Sequence, residues 1–347
     1  MVASKRIGQQ TLAFQNPPVI LGAVAIVGQK EGEGPLGGFF DQIEADPLLG
    51  EKTWERAESR LLQQAANLCL QKADLVPGDV DFLLAGDLLN QIIASSFCAR
   101  ELNVPFLGLY GACSTMAQGM ALGGMLIDGG MAELVLNCVS SHHETAERQY
   151  RYPTEFASQR TQTAQWTVTG AGAIVLGSSS FAKTGLARVT EATLGRVVDY
   201  GIKDPNNMGA AMAPAAADTI AQHLADTDRK PSHYDAIITG DLGTVGKKLV
   251  LQLLEQKGWQ VPSLLHDCGE MIFDAAQDAH AGGSGCACSA TVFCSYWLKK
   301  LQAGALKRLL FVATGALFSP TSYQQGESIP SVAHAVVVEG MPNGGGS

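Results

Sequence analysis

Short apolar runs alternate along the chain with longer stretches whose apolar side chains recur at helical spacing. Five runs in the first half predict buried strands, at residues 19–27, 80–85, 104–109, 133–139 and 169–176. Two amphipathic stretches predict helices, at residues 52–72 and 92–102. The Gly-rich segment 32–38 and the long polar and aromatic segment 141–166 are predicted to be loops. Strands that alternate with helices in this way predict an α/β fold.

One predicted helix, at residues 116–127, is small or apolar on every side, which is typical of a fully buried helix. A glycine-containing turn precedes it and places Cys113 at its start. Ser114 and Thr115 are residue types that satisfy free N–H groups at a helix start. The helix dipole favours a thiolate or a bound anion there, so Cys113 is a candidate site residue. The alternative is a buried cysteine that packs as a small hydrophobe.

The second half of the chain repeats the pattern of the first. The triplet Ala-Cys-Ser at residues 112–114 recurs at residues 287–289, an offset of 288 − 113 = 175. In both copies an apolar strand precedes the triplet, a helix follows it, and a glycine turn leads into another strand. We therefore predict two similarly folded α/β halves, at residues 1–183 and 184–347.

Composition narrows the possible functions. Hydrophobic residues make up 46% of the 347 residues, which is enough for a large core, and the net charge of −9 does not favour a nucleic-acid partner. The eight cysteines lie mostly in apolar segments and are interpreted as reduced thiols. No signal peptide is expected, because the N-terminal segment lacks an apolar core. No transmembrane segment is expected either, because the longest apolar stretch falls short of roughly 18 residues.

Several motifs with known chemistry are absent by spacing. The Gly-rich segments do not match a dinucleotide turn, a phosphate loop or the nucleophile elbow of α/β-hydrolases. Cys286 and Cys288 lack the spaced pairs of a structural zinc site. No cofactor and no intrinsic metal site are therefore expected.

The duplicated layout resembles the thiolase fold, in which two α/β halves pack in five layers with a site between them. Across nearly the whole chain, long sequence strings also resemble the stage V sporulation protein AD family of spore-forming bacteria. The strings that carry this resemblance are residues 28–37 (GQKEGEGPLG), 50–58 (GEKTWERAE), 84–90 (LAGDLLN), 106–116 (FLGLYGACSTM), 145–149 (TAERQ), 163–173 (TAQWTVTGAGA), 201–217 (GIKDPNNMGAAMAPAAA), 280–289 (HAGGSGCACS) and 313–328 (ATGALFSPTSYQQGES). Strings of this length are far more specific than a lone glycine motif.

The resemblance implies a function in sporulation. It implies that the protein binds pyridine-2,6-dicarboxylate (dipicolinic acid) and its calcium chelate. It also implies that the protein acts with other stage V sporulation proteins of the membrane to move this compound into the developing spore. The implied location is the cytoplasmic side of the forespore or spore inner membrane, as a peripheral protein. A homodimer is left open.

The thiolase resemblance also allows the catalytic residues to be compared. Cys113 lies where the nucleophile is expected, and His280 before its Gly-rich turn resembles the thiolase histidine motif. However, residues 311–318 contain no second cysteine, and residues 240–243 lack the histidine of type III ketosynthases. Because general acid–base catalysis is worth roughly 10²–10⁴-fold in rate, we expect a protein without catalytic activity. The alternatives are an acyltransferase that uses Cys113 and a structural subunit whose pocket is vestigial.

The same residues suit a binding site for a flat aromatic dicarboxylate. N–H groups at the helix start, near Cys113 and Ser114, are expected to hold one carboxylate. His142 and His280 are expected to hydrogen-bond the ligand or to stack on its ring. The alternative for both histidines is a satisfied polar group between the halves.

Two aspartates follow equivalent predicted strands, where open α/β sheets place their ligands. These are Asp87 and Asp241, and Asn90 completes the predicted ligand-binding set. Since Ca²⁺ takes oxygen ligands, Asp87 is the candidate contact to calcium carried by the ligand. An aspartate that caps the turn after its strand is the alternative in each case.

Charged residues of segment 141–166 offer a weaker signal. Arg148, Arg151 and Arg160 are placed to attract an anionic ligand, although a solvated loop surface explains them equally well. His143 is expected to face solvent beside His142.

Overall fold

The computed structural model describes residues 5–150 and 160–341. Its strands are β1 (Arg6–Ile7), β2 (Thr11–Ala13), β3 (Val19–Gly28), β4 (Gln42–Glu44), β5 (Phe82–Gly86), β6 (Phe106–Gly108), β7 (Leu134–Ser141), β8 (Trp166–Thr167), β9 (Gly170–Gly177), β10 (Ala187–Thr193), β11 (Ala236–Thr239), β12 (Leu265–Asp267), β13 (Gly283–Ser284), β14 (Arg308–Ala316) and β15 (Ser331–Gly340). Its α-helices are α1 (Gln29–Gly32), α2 (Trp54–Lys72), α3 (Ile93–Leu102), α4 (Thr115–Asp128), α5 (His143–Tyr150), α6 (Met208–Thr227), α7 (Gly243–Gln256), α8 (Cys268–Ile272), α9 (Cys286–Val292), α10 (Leu298–Gln302) and α11 (Pro320–Gln324).

The strand order of the main sheet shows the duplication that the sequence predicts. One half of the sheet runs β3-β9-β7-β5-β6, and the other half runs β10-β15-β14-β11-β12. In each half the first two neighbouring pairs are antiparallel and the last two are parallel. The halves join between β3 and β10 through two residue pairs, Ala187 with Ile20 and Arg188 with Val19, and between β2 and β10 through three more. Two equivalent sheets are therefore linked by a short seam.

The helices arrange these sheets into five layers, as the thiolase-like fold predicts. Helices α2 and α3 cover the outer face of the first half-sheet, and α6 and α7 cover the outer face of the second. Helices α4 and α9 lie between the half-sheets, where α4 contacts β7 and β15 and α9 contacts β9 and β3. The helix predicted to be apolar on every side is therefore in the central layer, where most of its residues are buried.

Small residues allow the central helices to approach the strands closely. A Cβ atom on Gly119 of α4 would lie 2.0 Å from Oδ1 of Asn137 on β7. A Cβ atom on Gly172 of β9 would lie 2.6 Å from the Cβ of Ala290 on α9. The amide of Asn137 donates to the carbonyl of Met116 at 3.0 Å and so satisfies a polar group in this dry layer. Larger residues at these glycines would push the layers apart.

Two predicted loops contain helices. The first part of segment 141–166 forms α5, because its polar residues make contacts with α2 and with the turn after β5 that favour a helix. The Gly-rich segment 32–38 is entered through the short helix α1 and left through a 3₁₀ turn at Gly37–Phe39. Arg151 lies outside the described residues. In the two described ranges, no helix has the length and apolar character needed to cross a membrane.

Truncation of Met120 should test the central layer. Met120 on α4 is fully buried, and the Met120→Ala variant should lose about 2–5 kcal/mol of unfolding free energy because it leaves a cavity. Met125 lies on the same helix but is 38% exposed, so Met125→Ala should change the unfolding free energy by about 0.5 kcal/mol or less. Denaturant titration of both variants measures the difference. Equal losses would contradict the central position of α4.

Candidate functional site

A cavity of about 330 Å³ lies between the halves, at the ends of the strands and the start of α4. The first half contributes Asp87, the loop at residues 88–92, Tyr110, Ala112, Cys113, Ala146, Tyr150 and Thr167. The second half contributes Met208, Met212, Ser284 and residues 316–318. Its volume is at the lower end of the range of about 300–1,000 Å³ that is typical of small-molecule sites.

Cys113 lies in the cavity wall, as the turn-and-helix pattern predicts. It is 7% exposed and belongs to a 3₁₀ turn, Ala112–Ser114, that leads into α4. Ala112 has a φ of 49°, in the left-handed region that glycine favours. Gly315 of the second half packs against this turn so closely that a Cβ atom on it would lie 2.1 Å from the carbonyl oxygen of Gly111. The turn is thus held between the halves.

The environment of Cys113 favours the thiol, contrary to the thiolate that the helix start alone suggests. A hydrogen bond to the thiol of Cys286, burial and the nearby carboxylate of Asp241 raise the pKa of Cys113 well above its ordinary value. The thiol of Cys286 in turn donates to the carbonyl of Ala112 at 3.0 Å. These groups come from the second half, so the sequence around Cys113 does not reveal them.

Ser114 is buried and does not line the cavity. Its hydroxyl donates to the carbonyl of Gly111 at 2.7 Å, and the hydroxyl of Thr115 donates to the carbonyl of Ala112 at 2.6 Å. Both hydroxyls therefore serve carbonyl groups of the turn instead of accepting from N–H groups. The reason is the 3₁₀ turn before α4, in which the N–H of Ser114 already donates to Gly111.

Asp87 lies in the cavity wall and also caps the turn after β5. Its carboxylate accepts from the N–H of Leu89 at 2.9 Å and from the N–H and hydroxyl of Ser95 at 2.8 and 2.7 Å. Burial nevertheless raises the pKa of Asp87. Asp87 therefore caps the turn and also lies in the cavity wall, and its carboxylate can still accept a further hydrogen bond.

A second carboxyl, Glu58 on α2, lies behind Asp87. It is fully buried and accepts from the hydroxyls of Ser140 at 3.1 Å and Thr145 at 2.6 Å. Burial, with the charge of Asp87, raises the pKa of Glu58 well above its ordinary value. Sequence reasoning missed this residue, although it ends one of the strings that carry the family resemblance.

Asp241 lies behind Cys113 instead of in the cavity wall. Its carboxylate accepts from the hydroxyl of Thr314 at 2.8 Å, from the hydroxyl of Ser284 at 3.1 Å and from the N–H of Gly285 at 3.0 Å. Burial raises its pKa, against the effect of these bonds and of the Cys113 thiol. It joins β11, β14 and the start of α9, so it fixes the rear of the site.

The structure does not bring His142 and His280 to the cavity. His142 is buried, its Nε2 donates to the carbonyl of Pro47 at 2.8 Å, and its ring lies against Trp54. His280 is bound through Nδ1 to the carbonyl of Thr161 and through Nε2 to Asp278. Each ring is turned towards these partners, which no spacing in the sequence indicates.

His143 is buried, contrary to the expectation that it faces solvent. Its ring stacks on Trp166 at a centroid distance of 3.7 Å and an interplanar angle of 4°. Lys30 and Arg160 also lie over the Trp166 ring, at 4.2 and 4.8 Å from its centroid. This cluster gives the histidine a packing partner that its position in a polar segment conceals.

The described cavity wall contains one carboxyl group, that of Asp87, together with neutral polar groups. Among its described lining residues, none is a lysine or an arginine. Arg148 pairs with Glu55 on α2, and Arg160 pairs with Asp278. Asn90 does line the cavity, together with the amide of Gln91. In the described ranges, no group of three or more histidine, cysteine, aspartate or glutamate residues is suited to hold a metal ion.

Two aromatic residues of the cavity were not predicted. Tyr150, at the end of α5, meets Phe318 of the second half edge to face, with ring centroids 5.8 Å apart. Phe318 also contacts Tyr323 on α11. Both halves therefore contribute an apolar, aromatic surface to the cavity. The string at residues 313–328, which contains Phe318, and the string at residues 145–149, which Tyr150 follows, were the available signals. No spacing in the sequence assigns either residue to the site.

The buried carboxyl of Glu58 predicts a pH dependence of stability. Because its pKa is raised in the folded state, the folded protein binds this proton more tightly than the unfolded chain does. Its contribution to stability is present below the ordinary value of 4.5 and is lost as the pH rises towards and through neutrality. Glu58→Gln should remove this contribution and flatten the fall between pH 5 and 8 in denaturant titrations. Glu101→Gln, an exposed change on α3, should give the same dependence of unfolding free energy on pH as the wild-type protein. Parallel profiles for both variants would contradict the assignment.

Solved structures with the same fold include acyl-transfer enzymes. OleA of Xanthomonas campestris, with cerulenin bound, has a TM-score of 0.62 and 14% identity, and the match covers 94% of this chain and 100% of that chain. Human mitochondrial 3-ketoacyl-CoA thiolase has a TM-score of 0.58 and 15% identity over 95% of this chain and 100% of that chain. 3-Oxoacyl-[acyl-carrier-protein] synthase III of Aquifex aeolicus has a TM-score of 0.56 and 13% identity over 93% and 99%. These matches establish the thiolase-like fold.

Sequence comparison identifies a family over almost the full length. Stage V sporulation protein AD of Bacillus subtilis (strain 168) is 48% identical over 335 residues, which are 96% of this chain and 98% of that protein. A family model described as stage V sporulation protein AD (SpoVAD) matches residues 8–339. The chain therefore belongs to the stage V sporulation protein AD family.

Proposed function

We propose that this sporulation protein binds dipicolinate in the cavity between its halves, and that it binds the calcium chelate in preference to the free dianion. The observation that carries the proposal is the charge of the cavity. Asp87 lies in its wall, and the described lining residues include no lysine or arginine. Among the described lining residues, a free dianion would meet a carboxylate without a counter-charge, whereas Ca²⁺ neutralises the two ligand carboxylates and attracts Asp87.

The remaining lining residues suit a small planar ligand. Tyr150 and Phe318 offer ring surfaces from opposite halves, and Met212 adds a flexible apolar contact. The amide of Asn90 and the hydroxyl of Ser284 are polar groups that the two halves contribute to the same cavity. We place the ligand ring near Tyr150 and Phe318, because these side chains line the cavity and the two histidines do not.

We also propose that the protein does not catalyse acyl transfer. Cys113 is held as a thiol, since its pKa is raised by Cys286, burial and Asp241. His280, the candidate catalytic histidine, is bound to Thr161 and Asp278 instead of facing Cys113. The alternative function, acyl transfer by a cysteine nucleophile, is favoured by one observation, namely that Cys113 is in the wall of the cavity.

The proposed role in moving dipicolinate with membrane proteins, on the cytoplasmic side of the forespore or spore inner membrane, rests on family membership. The cavity supports the binding step of this role. We also propose that one surface of the protein contacts the other stage V proteins, and that the protein can form a homodimer.

Calorimetric titration with dipicolinate, with and without Ca²⁺, tests the binding proposal. Asp87→Asn should weaken the chelate by roughly ten- to hundredfold, the effect of losing a contact to a charged group. The same change should leave free dipicolinate unchanged or bound more tightly, because it removes a repulsion. If Asp87→Asn preserves the ratio of the two affinities, Asp87 is not close to the metal ion.

Substitution of Cys113 tests whether the cavity is the binding site, and substitution of Cys288 is the matched control. Cys113→Phe should abolish binding because the ring fills the cavity, and Cys113→Ala should have only a modest effect. Cys288, the counterpart of Cys113 in the repeat, is fully buried away from the cavity, so Cys288→Ala should retain the affinity of the wild-type protein. Unchanged binding by Cys113→Phe would exclude the cavity as the site.

Incubation with acyl-thioesters tests the absence of catalysis. Because Cys113 is a thiol without a histidine partner, the protein should not release free coenzyme A steadily from acetoacetyl-CoA or acyl-CoA donors. A thiol-detection assay measures the release. Steady release that disappears in Cys113→Ala would favour the acyltransferase instead.

A further inference from the structure

Three of the sequence strings that mark the family meet at helix α5. The string at residues 145–149 forms most of α5, the string at residues 50–58 enters α2, and the string at residues 84–90 ends β5 and begins the cavity loop. Thr145 donates to Glu58 of α2 at 2.6 Å, and Arg148 pairs with Glu55 of α2. The buried bond between Thr145 and Glu58 attaches α5 to α2, whereas the exposed pair of Arg148 and Glu55 contributes little. The end of α5 therefore has a defined position beside the cavity.

The cavity loop at residues 88–92 has an unfavourable backbone. Gln91 has a φ of 57° and Ile92 a φ of 45°, both in the left-handed region. For a β-branched residue such as Ile92 this conformation is rare, because its side chain clashes with the backbone. Such residues persist only where surrounding contacts hold them, and they concentrate at functional sites.

The hydroxyl of Ser96 donates to the carbonyls of Gln91 at 3.4 Å and Ile92 at 3.0 Å. Gln149 of α5 holds the part of the loop that precedes these two residues. Its Oε1 accepts from the N–H of Asn90 at 3.2 Å, and its Nε2 donates to the carbonyl of Leu88 at 3.2 Å and to Oδ1 of Asn90 at 3.4 Å. Leu88 and Asn90 both line the cavity, whereas Gln149 itself does not. One side chain thus binds the backbone on both sides of Leu89 and also orients the amide of Asn90.

The other contacts of the loop act on different residues. The carboxylate of Asp87 accepts from the N–H of Leu89, and the hydroxyl of Tyr110 donates to Oε1 of Gln91 at 3.2 Å. Neither contact holds Asn90, which is exposed to the cavity side of the loop. In the described part of the chain, Gln149 contacts both the backbone N–H and the side-chain oxygen of Asn90.

We infer that Gln149 is a positioning residue for the ligand site, which holds the strained loop at residues 88–92 so that Asn90 faces the bound chelate. The inference deepens the proposed function and rests on it for the identity of the ligand. When Gln149 is lost, the loop is free to relax to an ordinary backbone conformation, and only a fraction of molecules presents the binding-competent arrangement. The apparent affinity then falls by that fraction.

The test compares Gln149→Met, Gln149→Glu and Arg148→Met. Methionine retains the length of Gln149 but none of its hydrogen bonds, whereas glutamate retains only the acceptor for the N–H of Asn90. Arg148→Met removes a surface ion pair on the same helix and leaves the loop contacts intact. Calcium dipicolinate is titrated into each variant. Hydrogen exchange of the backbone N–H of Asn90 is measured without ligand.

In Gln149→Met the apparent Kd should rise roughly ten- to hundredfold, the effect of two or three lost hydrogen bonds. In the same variant the backbone N–H of Asn90 should exchange at least about tenfold faster. Arg148→Met should stay within about twofold of the wild-type protein in both measurements. Gln149→Glu should show an exchange rate between those of the other two variants, since it retains the acceptor for the backbone N–H of Asn90.

Two outcomes would overturn the inference. One is a wild-type Kd and wild-type exchange in Gln149→Met. The other is a raised Kd with unchanged exchange at Asn90, which would mean that Gln149 acts on the ligand by another route. If the wild-type protein does not bind the chelate at all, the proposed function fails, and the exchange measurement still decides whether Gln149 holds the loop.

Discussion

The close packing of two helices between two half-sheets is the constraint on which the rest of this structure depends. Because α4 and α9 must fit between strands on both sides, small residues such as Gly119, Gly172 and Ala290 occupy their contacts. Each helix then begins near the ends of the strands, at the boundary between the halves. The cavity lies at this boundary, so its position follows from the packing of the central layer and not from any single motif.

The second half also contains two buried carboxyl groups whose burial is compensated locally. Asp241 and Asp267 each accept several hydrogen bonds from neighbouring elements, and burial still raises the pKa of Asp267 to about 7. Burial of carboxylates is unfavourable unless such donors are present. These groups join strands, turns and helix starts that are distant in sequence, and they make the site rigid at the expense of stability at higher pH.

The same boundary determines the surroundings of Cys113. A helix start normally lowers the pKa of a cysteine, but the helix dipole acts here against Cys286, Asp241 and burial. The fold can therefore place a cysteine in a cavity and still favour its protonated form. Likewise, Asp87 caps its own turn and still presents a charge to the cavity. Our proposal of a binding function rests on these features.

Much of the fold could be predicted from the sequence, because the relevant signals are local. Apolar runs and helical spacing located β3, β7, β9, α2 and α4 to within a few residues, and the recurrence of the Ala-Cys-Ser triplet revealed the duplication. The long sequence strings identified the family. Cys113, Asp87 and Asn90 were also found, since each follows directly from a strand or turn that the pattern of residues locates.

The rest of the site was decided by tertiary structure. His142 and His280 were expected in the cavity, but their rings are turned towards Pro47 and Thr161, and rotamers of this kind depend on partners that are distant in the sequence. Glu58, Tyr150 and Phe318 reach the site or its rear wall from three separate elements. The sequence by itself determined the strands, the central helix, the repeat and the position of Cys113, since each depends on neighbouring residues. Only the packing of one half against the other decided the protonation of Cys113 and the makeup of the cavity, because both depend on groups that approach across the boundary.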